Sequence, residues 1–534
     1  LKATIFTNGD LRTSGNDLIT GGSIGSLGGR IICIGDYEEC LNAFPRGVKP
    51  ETRDLGGKTV MPGFIDSHIH LLGFGLNLEQ LSLVDVASVE ELKEKVRERA
   101  LETEEGGWII GRGWDQDQFA EKRYPTRYDL DEVAGSRPVY LVRTCGHIAV
   151  ASSKALEIAG ITKDVEDPTG GAIDRDSRGE PTGVFRESAL GLVQSCIPKA
   201  DVEATETALA KGIQYVFSKG ITSVHTNDGQ GGFWETIDLY RRVQGKGFPL
   251  RVYWDIPSEF FEDLSNSELR TKDGHDYFRI GAVKLFADGS LGGRTAALEF
   301  PYSDDPGNHG ILVVSEEELM EAVYKAQIHG MQVAIHAIGD RAVRVSLDAI
   351  EYAQSRFPVY DLRHRIVHAQ ILSPELIARM KSLRVVADIQ PKFISTDMRW
   401  AVDRVGTERM KWSYAWRTML EEGIPLAGGS DCPVEPPDPL YGIYCAVTRK
   451  DMNGNPSSGF YPEQKMTVDE AVHLFTTGAA YAGHEENKKG RLSPGYLCDF
   501  VVLSDDIYCV DPEEIKDLEV LLTVVGGQVV YEKA

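Results

Sequence analysis

No apolar run in this chain reaches the ~18 residues that a membrane-crossing helix needs. Residues 1–20 lack the basic start and apolar centre of a secretory signal, so the expectation is a cytoplasmic protein with no membrane partner. Basic residues are in the minority, with 57 Lys and Arg against 81 Asp and Glu and a formal charge of -24. Phosphate-backbone binding needs clustered cations, so nucleic acid is not an expected partner. The eight cysteines, at 33, 40, 145, 196, 432, 445, 498 and 509, form no C-x-x-C pair. That spacing argues against a zinc ribbon and against a disulfide framework.

What is present is the material of a large soluble protein, 534 residues with 42% hydrophobic content. Both ends read as short strands separated by glycine: Lys2–Thr7, Gly29–Gly35 and Lys58–Met61 at one end, Asp499–Leu503, Val520–Val525 and Gln528–Tyr531 at the other. Neither set makes a stable sheet alone, so residues 1–61 plus 490–534 are expected to form one small β-sandwich from both termini. Between them apolar strands alternate with amphipathic helices. The strands are Gly63–His70, Ile221–His225, Leu250–Ile256, Ile280–Ala287, Gln332–Ala337, Arg365–Ala369, Val385–Ile389 and Ile424–Gly428.

Eight strands in this rhythm predict an α/β fold, a (β/α)8 TIM-like barrel over residues 62–80 plus 184–489. Helices are expected at 203–218, 315–329, 340–354 with Asp340 as N-cap, 373–382 and 467–480. The interval of about 150 residues between the first two strands far exceeds a β/α connection. It predicts an inserted, lid-like subdomain at 81–183, with a helix opened by Ser88-Val-Glu-Glu91 and a hairpin turning at Asp176–Gly179.

A barrel site is built at the C-terminal ends of its strands, which turns the strand list into a filter. The first strand ends at His68-Ile-His70, whose one-residue spacing puts both rings on one face. A pair of that kind proves little in a chain with 12 histidines. The fifth strand ends in His336, the sixth in His368, and the eighth runs into Asp431. The filter rejects His329 and His364, and it admits His225 at the end of the second strand. Four histidines and an aspartate converging on one axis suit Zn2+ or a similar divalent ion, one or two of them.

Lys284 stands in the otherwise apolar fourth strand. Burial pushes a lysine toward its neutral amine, and a neutral amine adds carbon dioxide to give a carbamate able to bridge two metals. The alternative is an amine paired with Asp288.

His68-x-His70, Lys284, His336, His368 and Asp431 resemble, in order and strand assignment, the metal site of the amidohydrolase superfamily. The stretches Val60–His70, Gly146–Leu156, Lys284–Thr295, Ile335–Asp340, Arg365–Gln370 and Gly429–Pro433 are similar to its YtcJ-like branch. The resemblance implies a metal-dependent hydrolase of non-peptide C–N bonds in small molecules, in a group that includes removal of formyl groups from N-substituted formamides. In D-aminoacylase relatives a cysteine replaces the bridging lysine, whereas this chain keeps Lys284. The expected reaction uses a metal-activated hydroxide, with Asp431 as general base and then general acid. His147 is a candidate oxyanion donor, and Trp114 and Arg294 are candidate substrate-binding residues. The same metal barrel also suits lactone or cyclic-amide opening, deamination or isomerisation. A non-catalytic scaffold fits poorly with six retained ligands, and homo-oligomerisation is left open.

Overall fold

The computed structural model describes residues 2–15, 17–84, 86–116, 118–143, 146, 148–168, 171–198, 201–359 and 361–534. The chain divides into two compact units, Leu1–Phe74 with Ala210–Ala534, and Gly75–Leu209. Among the described residues no helix is long and apolar enough to cross a membrane.

In the first unit eight strands follow one another in chain order: β1 (Phe64–Ile69), β2 (Ile221–Thr226), β3 (Arg251–Pro257), β4 (Phe278–Phe286), β5 (Val333–Ala337), β6 (Arg365–His368), β7 (Val386–Ile389) and β8 (Leu426–Gly428). Each pairs in parallel with the next. A two-residue strand, Gly274–His275, adds antiparallel to β4. β8 is too short to reach β1 by a ladder of its own. Beyond its last residue, the Asp431 N–H donates to the His68 carbonyl at 2.7 Å and the His70 N–H donates to the Cys432 carbonyl at 2.8 Å. A nearly closed barrel results, and each of the eight barrel strands expected from the sequence is present with ends shifted by at most two residues.

The barrel interior holds a small apolar cluster of Ala282, Ala334 and Val367 together with buried polar residues. Arg365 on β6 is fully buried and reaches both Asp255 on β3, at 2.8 Å, and Asp388 on β7, at 2.5 Å. It also donates to the Ser67 carbonyl on β1 at 2.7 Å, and the Ser67 hydroxyl donates to Asp388 at 2.6 Å. One guanidinium thus ties four strands together, and its charge is matched by two carboxylates that water cannot reach.

An eight-stranded sheet draws five strands from residues 3–62 and three from 500–532. The ends of the chain meet where Phe500–Leu503 pairs antiparallel with Thr59–Pro62. Leu18–Leu27 is a strand that the sequence reading passed over, because its glycines read as turn material. Gly22 belongs there because a Cβ would sit 2.8 Å from the Leu11 side chain across the ladder.

The Gly75–Leu209 unit has a six-stranded sheet of its own. The expected hairpin is there, Gly171–Arg175 against Pro181–Glu187, turned by the Asp176 N–H donating to Glu180 and the Gly179 N–H donating to Asp176. Ser88 caps the helix Val89–Glu102, but Glu91 reaches back to the Ala87 N–H rather than to Ser88. One cap needs correction: Gly339 is the N-cap of Asp340–Arg356, and the Asp340 carboxylate instead accepts from the Glu299 N–H at 2.9 Å, holding the loop after β4.

Replacing Arg365 by Met strands Asp255 and Asp388 without a counter-charge in the interior. The expected cost is about 3–5 kcal/mol, read as a fall in the urea unfolding midpoint. A midpoint equal to wild type contradicts the interior assignment.

Candidate metal centre

Strand register brings the ligand candidates to one end of the barrel. Phe286 is opposite His336, and Ala337 is opposite His368, so β4, β5 and β6 finish at the same level. β1 and the turn after β8 complete the ring. His68 Nε2 lies 3.4 Å and His70 Nε2 3.3 Å from the same Asp431 oxygen. Ligand atoms of His68, His368 and Asp431 all fall within 4.8 Å of one another.

The backbone is bent to achieve this. His368 has φ +76° and Asp431 φ +55°, left-handed values that cost a non-glycine residue roughly 1–2 kcal/mol each. The Asp431 turn is held by Asp66, whose buried carboxylate accepts from the Ser430 N–H at 3.0 Å, the Ser430 hydroxyl at 2.6 Å and the His68 N–H at 3.1 Å. Burial raises the Asp66 carboxyl to about 7. Gly429 allows the approach, since a Cβ there would stand 2.6 Å from the His68 backbone nitrogen.

The second pair carries a sharper signal. His336 Nε2 faces the Gly289 carbonyl at 3.0 Å, an acceptor only, so that nitrogen bears the proton and Nδ1 keeps its lone pair. His368 Nδ1 faces Gln390 Oε1 at 2.6 Å, and Gln390 is oriented by its Nε2 donating to the Asp388 carbonyl at 3.2 Å. His368 Nδ1 therefore donates, and Nε2 keeps its lone pair. The two bare nitrogens, His336 Nδ1 and His368 Nε2, point at each other 3.0 Å apart. Protonation does not relieve the clash, because burial pushes His336 down to about 4 and His368 well below the ordinary imidazole range. Two opposed lone pairs with no proton between them fit a cation.

After burial, the charge of Lys284 is the next cause that lowers both His68 and His336, one from each pair. Lys284 is 2% exposed, and its Nζ has no hydrogen-bond partner among the described residues; it rests 4.4 Å from the Phe286 ring centroid. Burial pushes the amine down to about 8. The alternative pairing with Asp288 does not form. The Asp288 carboxylate is taken by the N–H groups of Ile338, Gly339 and Ala297, at 3.0, 2.8 and 2.9 Å. For Asp431, burial raises the pKa, but hydrogen bonds from His68 and His70 outweigh it and hold the carboxyl well below its usual range.

Other expectations fall elsewhere. Trp114 is fully buried in the core of the Gly75–Leu209 unit, packed on Phe119, with its indole N–H donating to the Leu141 carbonyl at 3.0 Å. Neither face nor donor is open to a substrate there. Arg294 sits on the loop after β4 with its guanidinium on Asp304 at 2.8 Å. His147 and Cys145 lie outside the described residues. Cys432 is buried, which pushes its thiol far above the ordinary range and disfavours a thiolate ligand. His225 is buried beside Tyr253 in the interior, not among the ligands. Sequence reasoning missed Asp66, Asn227 (3.3 Å from His68 Nδ1) and Gln390. Only Asp66 carried a readable signal, a carboxylate inside an apolar strand.

A model of the amidohydrolase family matches residues 51–531, and the chain belongs to that family. YtcJ of Bacillus subtilis (strain 168), which carries the amidohydrolase name, is 38% identical over 506 residues, 94% of either chain. The N-substituted formamide deformylase of Arthrobacter pascens is 29% identical over 523 residues, 95% of this chain and 94% of its own. The solved structure of an uncharacterized metal-dependent hydrolase from Pyrococcus furiosus is similar at TM-score 0.79 and 34% identity, covering 95% of this chain and 100% of that one.

Two outcomes follow for the metal-free protein. Between pH 8 and 10.5 the unfolded chain binds the proton that folded Lys284 has lost, so stability rises with pH across that window. Lys284→Met removes this rise in a pH series of urea melts; an unchanged slope contradicts the neutral amine. Gly429→Ala forces the β8 turn away from His68, and divalent-ion affinity measured by competition with a chelating dye is expected to fall by at least about tenfold.

Proposed function

We propose that the protein hydrolyses a C–N bond other than a peptide bond in a small amide-like molecule. The observation that carries this reading is the pair of opposed imidazole lone pairs at the ends of β5 and β6. His68, His70, Lys284 as its carbamate, His336, His368 and Asp431 are the residues that would hold the metal, with zinc the expected ion and one or two ions accommodated. Imidazole nitrogens, a carboxylate oxygen and a carbamate oxygen are the donor types such an ion takes. When bound, the ion supplies Lewis acidity, lowering the pKa of a water from ~15.7 to ~7 and polarising a carbonyl.

The remaining chemistry belongs to the chain. Asp431 accepts a proton from the attacking water and returns it to the leaving nitrogen, so the hydroxyl ends on the carbonyl carbon, the proton on the amine, and the C–N bond breaks. The depressed pKa of Asp431 comes from hydrogen bonds to His68 and His70. These use the same Nε2 atoms that a metal would take, so the depression belongs to the metal-free arrangement. Gln390 and Asn227 hold His368 and His68 in place, and the Asp66 clamp fixes Asp431 over the barrel mouth.

Similarity to an N-substituted formamide deformylase supports beginning the search with N-formyl amines. A turnover screen over N-formyl amines, N-acyl amino acids, cyclic amides and lactones tests the reading. An amide is expected to be cleaved, and Asp431→Asn is expected to lose about 10²–10⁴ in kcat while still binding metal. Activity confined to lactones, or near-wild-type rates for Asp431→Asn, overturns it.

A further inference from the structure

Side chains alternate along β4, and their neighbours settle which way each one faces. Ala282 belongs to the interior cluster with Ala334 and Val367. Val283 and Leu285 instead line a groove outside the barrel, with Glu318, Ala322 and Lys325 of the helix Glu316–Ile328. Lys284 and Phe286 therefore share the inward face with Ala282. Phe286 is the last residue of the strand, one pleat above Lys284, and it is 47% exposed although every residue from Ile280 to Leu285 is buried.

Two phenyl rings flank the opposed imidazoles. Phe393 stacks on His368 with centroids 5.8 Å apart and planes at 17°, and Phe286 lies against His336 with centroids 5.4 Å apart and planes at 36°. Burial separates the two. Phe393 is 8% exposed and is packing, whereas Phe286 keeps much of its surface open at the barrel mouth while its ring centroid stands 4.4 Å from Lys284 Nζ. A single exposed apolar side chain is ordinary on an outer surface, but this one stands within a cluster of candidate ligands. A small molecule held at the metal centre has this ring as a neighbour, and covering the ring removes apolar surface from water.

We propose that Phe286 is a specificity-determining residue, packing against an uncharged aryl substituent next to the bond that is broken. That a bond is broken there rests on the amide-hydrolysis reading above; the contact rests on the position of the ring alone. Phe286 offers neither charge nor hydrogen-bond group, so it selects by apolar area and ring geometry and favours an aryl group over a small or polar one.

The test uses methylphosphonate and phenylphosphonate as probes in calorimetric titrations of the zinc-loaded full chain. Both carry the same metal-binding headgroup, and they differ in the group that meets Phe286. Wild type is expected to bind phenylphosphonate at least about tenfold more tightly, and Phe286→Ala to bring the two affinities within about twofold of each other by weakening phenylphosphonate alone. Phe286→Leu keeps an apolar side chain without the ring face, is expected to fall between, and serves if Phe286→Ala does not fold. Equal affinities in wild type, no binding of either probe, or an unaltered preference in the variants overturn the assignment. Zinc content is measured on the same samples: both variants are expected to match wild type, and loss of zinc from both makes Phe286 a support for Lys284 and overturns the substrate contact. Neither probe has a C–N bond. A negative turnover screen therefore sinks the proposed reaction without touching this result, and equal probe affinities sink the specificity without touching the reaction.

Discussion

The site depends on one electrostatic constraint: two neutral imidazoles, His336 and His368, turned so that their lone pairs meet at 3.0 Å. Protein groups force that arrangement. The Gly289 carbonyl fixes one ring, Gln390 fixes the other, and Gln390 is set by the backbone of Asp388. Asp388 is in turn gripped by Arg365 inside the barrel. The chain of causes runs from a buried ion pair, through one glutamine, to a ring orientation that is unfavourable without a cation. Backbone strain at His368 and Asp431 adds to that cost, and strained residues persist where the surroundings over-determine them.

The other half of the site works by proximity instead of opposition. His68 and His70 share one Asp431 oxygen, and Asp66 binds the β8 turn to β1 through three hydrogen bonds. The barrel seam and the candidate ligand set are therefore the same structure: the Asp431 and His70 N–H groups that close the barrel belong to two candidate ligands. Lys284 acts electrostatically on both halves as a buried amine without a hydrogen-bond partner among the described residues. Buried amines of this kind are stable only when neutral, matched by charge or chemically modified.

Much of this was legible in the sequence, for a physical reason. Strand alternation and the rule that barrel sites form at strand ends picked out His68, His70, Lys284, His336, His368 and Asp431, because both act over a few residues. What orients those candidate ligands was not legible. Gln390 and Asn227 are neutral polar residues just past strand ends, where composition does not separate a ligand-orienting amide from an ordinary loop residue. Trp114 shows the converse error: an aromatic in a Gly-Arg-Gly-Trp-Asp setting reads as a pocket residue but is packing. The strand Leu18–Leu27 was hidden because its glycines serve close strand packing, and glycine in sequence reads first as a turn.

The most direct measurement is X-ray absorption at the zinc edge on protein expressed with zinc and freed of loosely bound ion. The account predicts a bound ion with only nitrogen and oxygen neighbours, several of them imidazoles, and a loss of imidazole scattering in His368→Asn. No retained divalent ion, or an ion whose ligand shell is unchanged in His368→Asn, would contradict it.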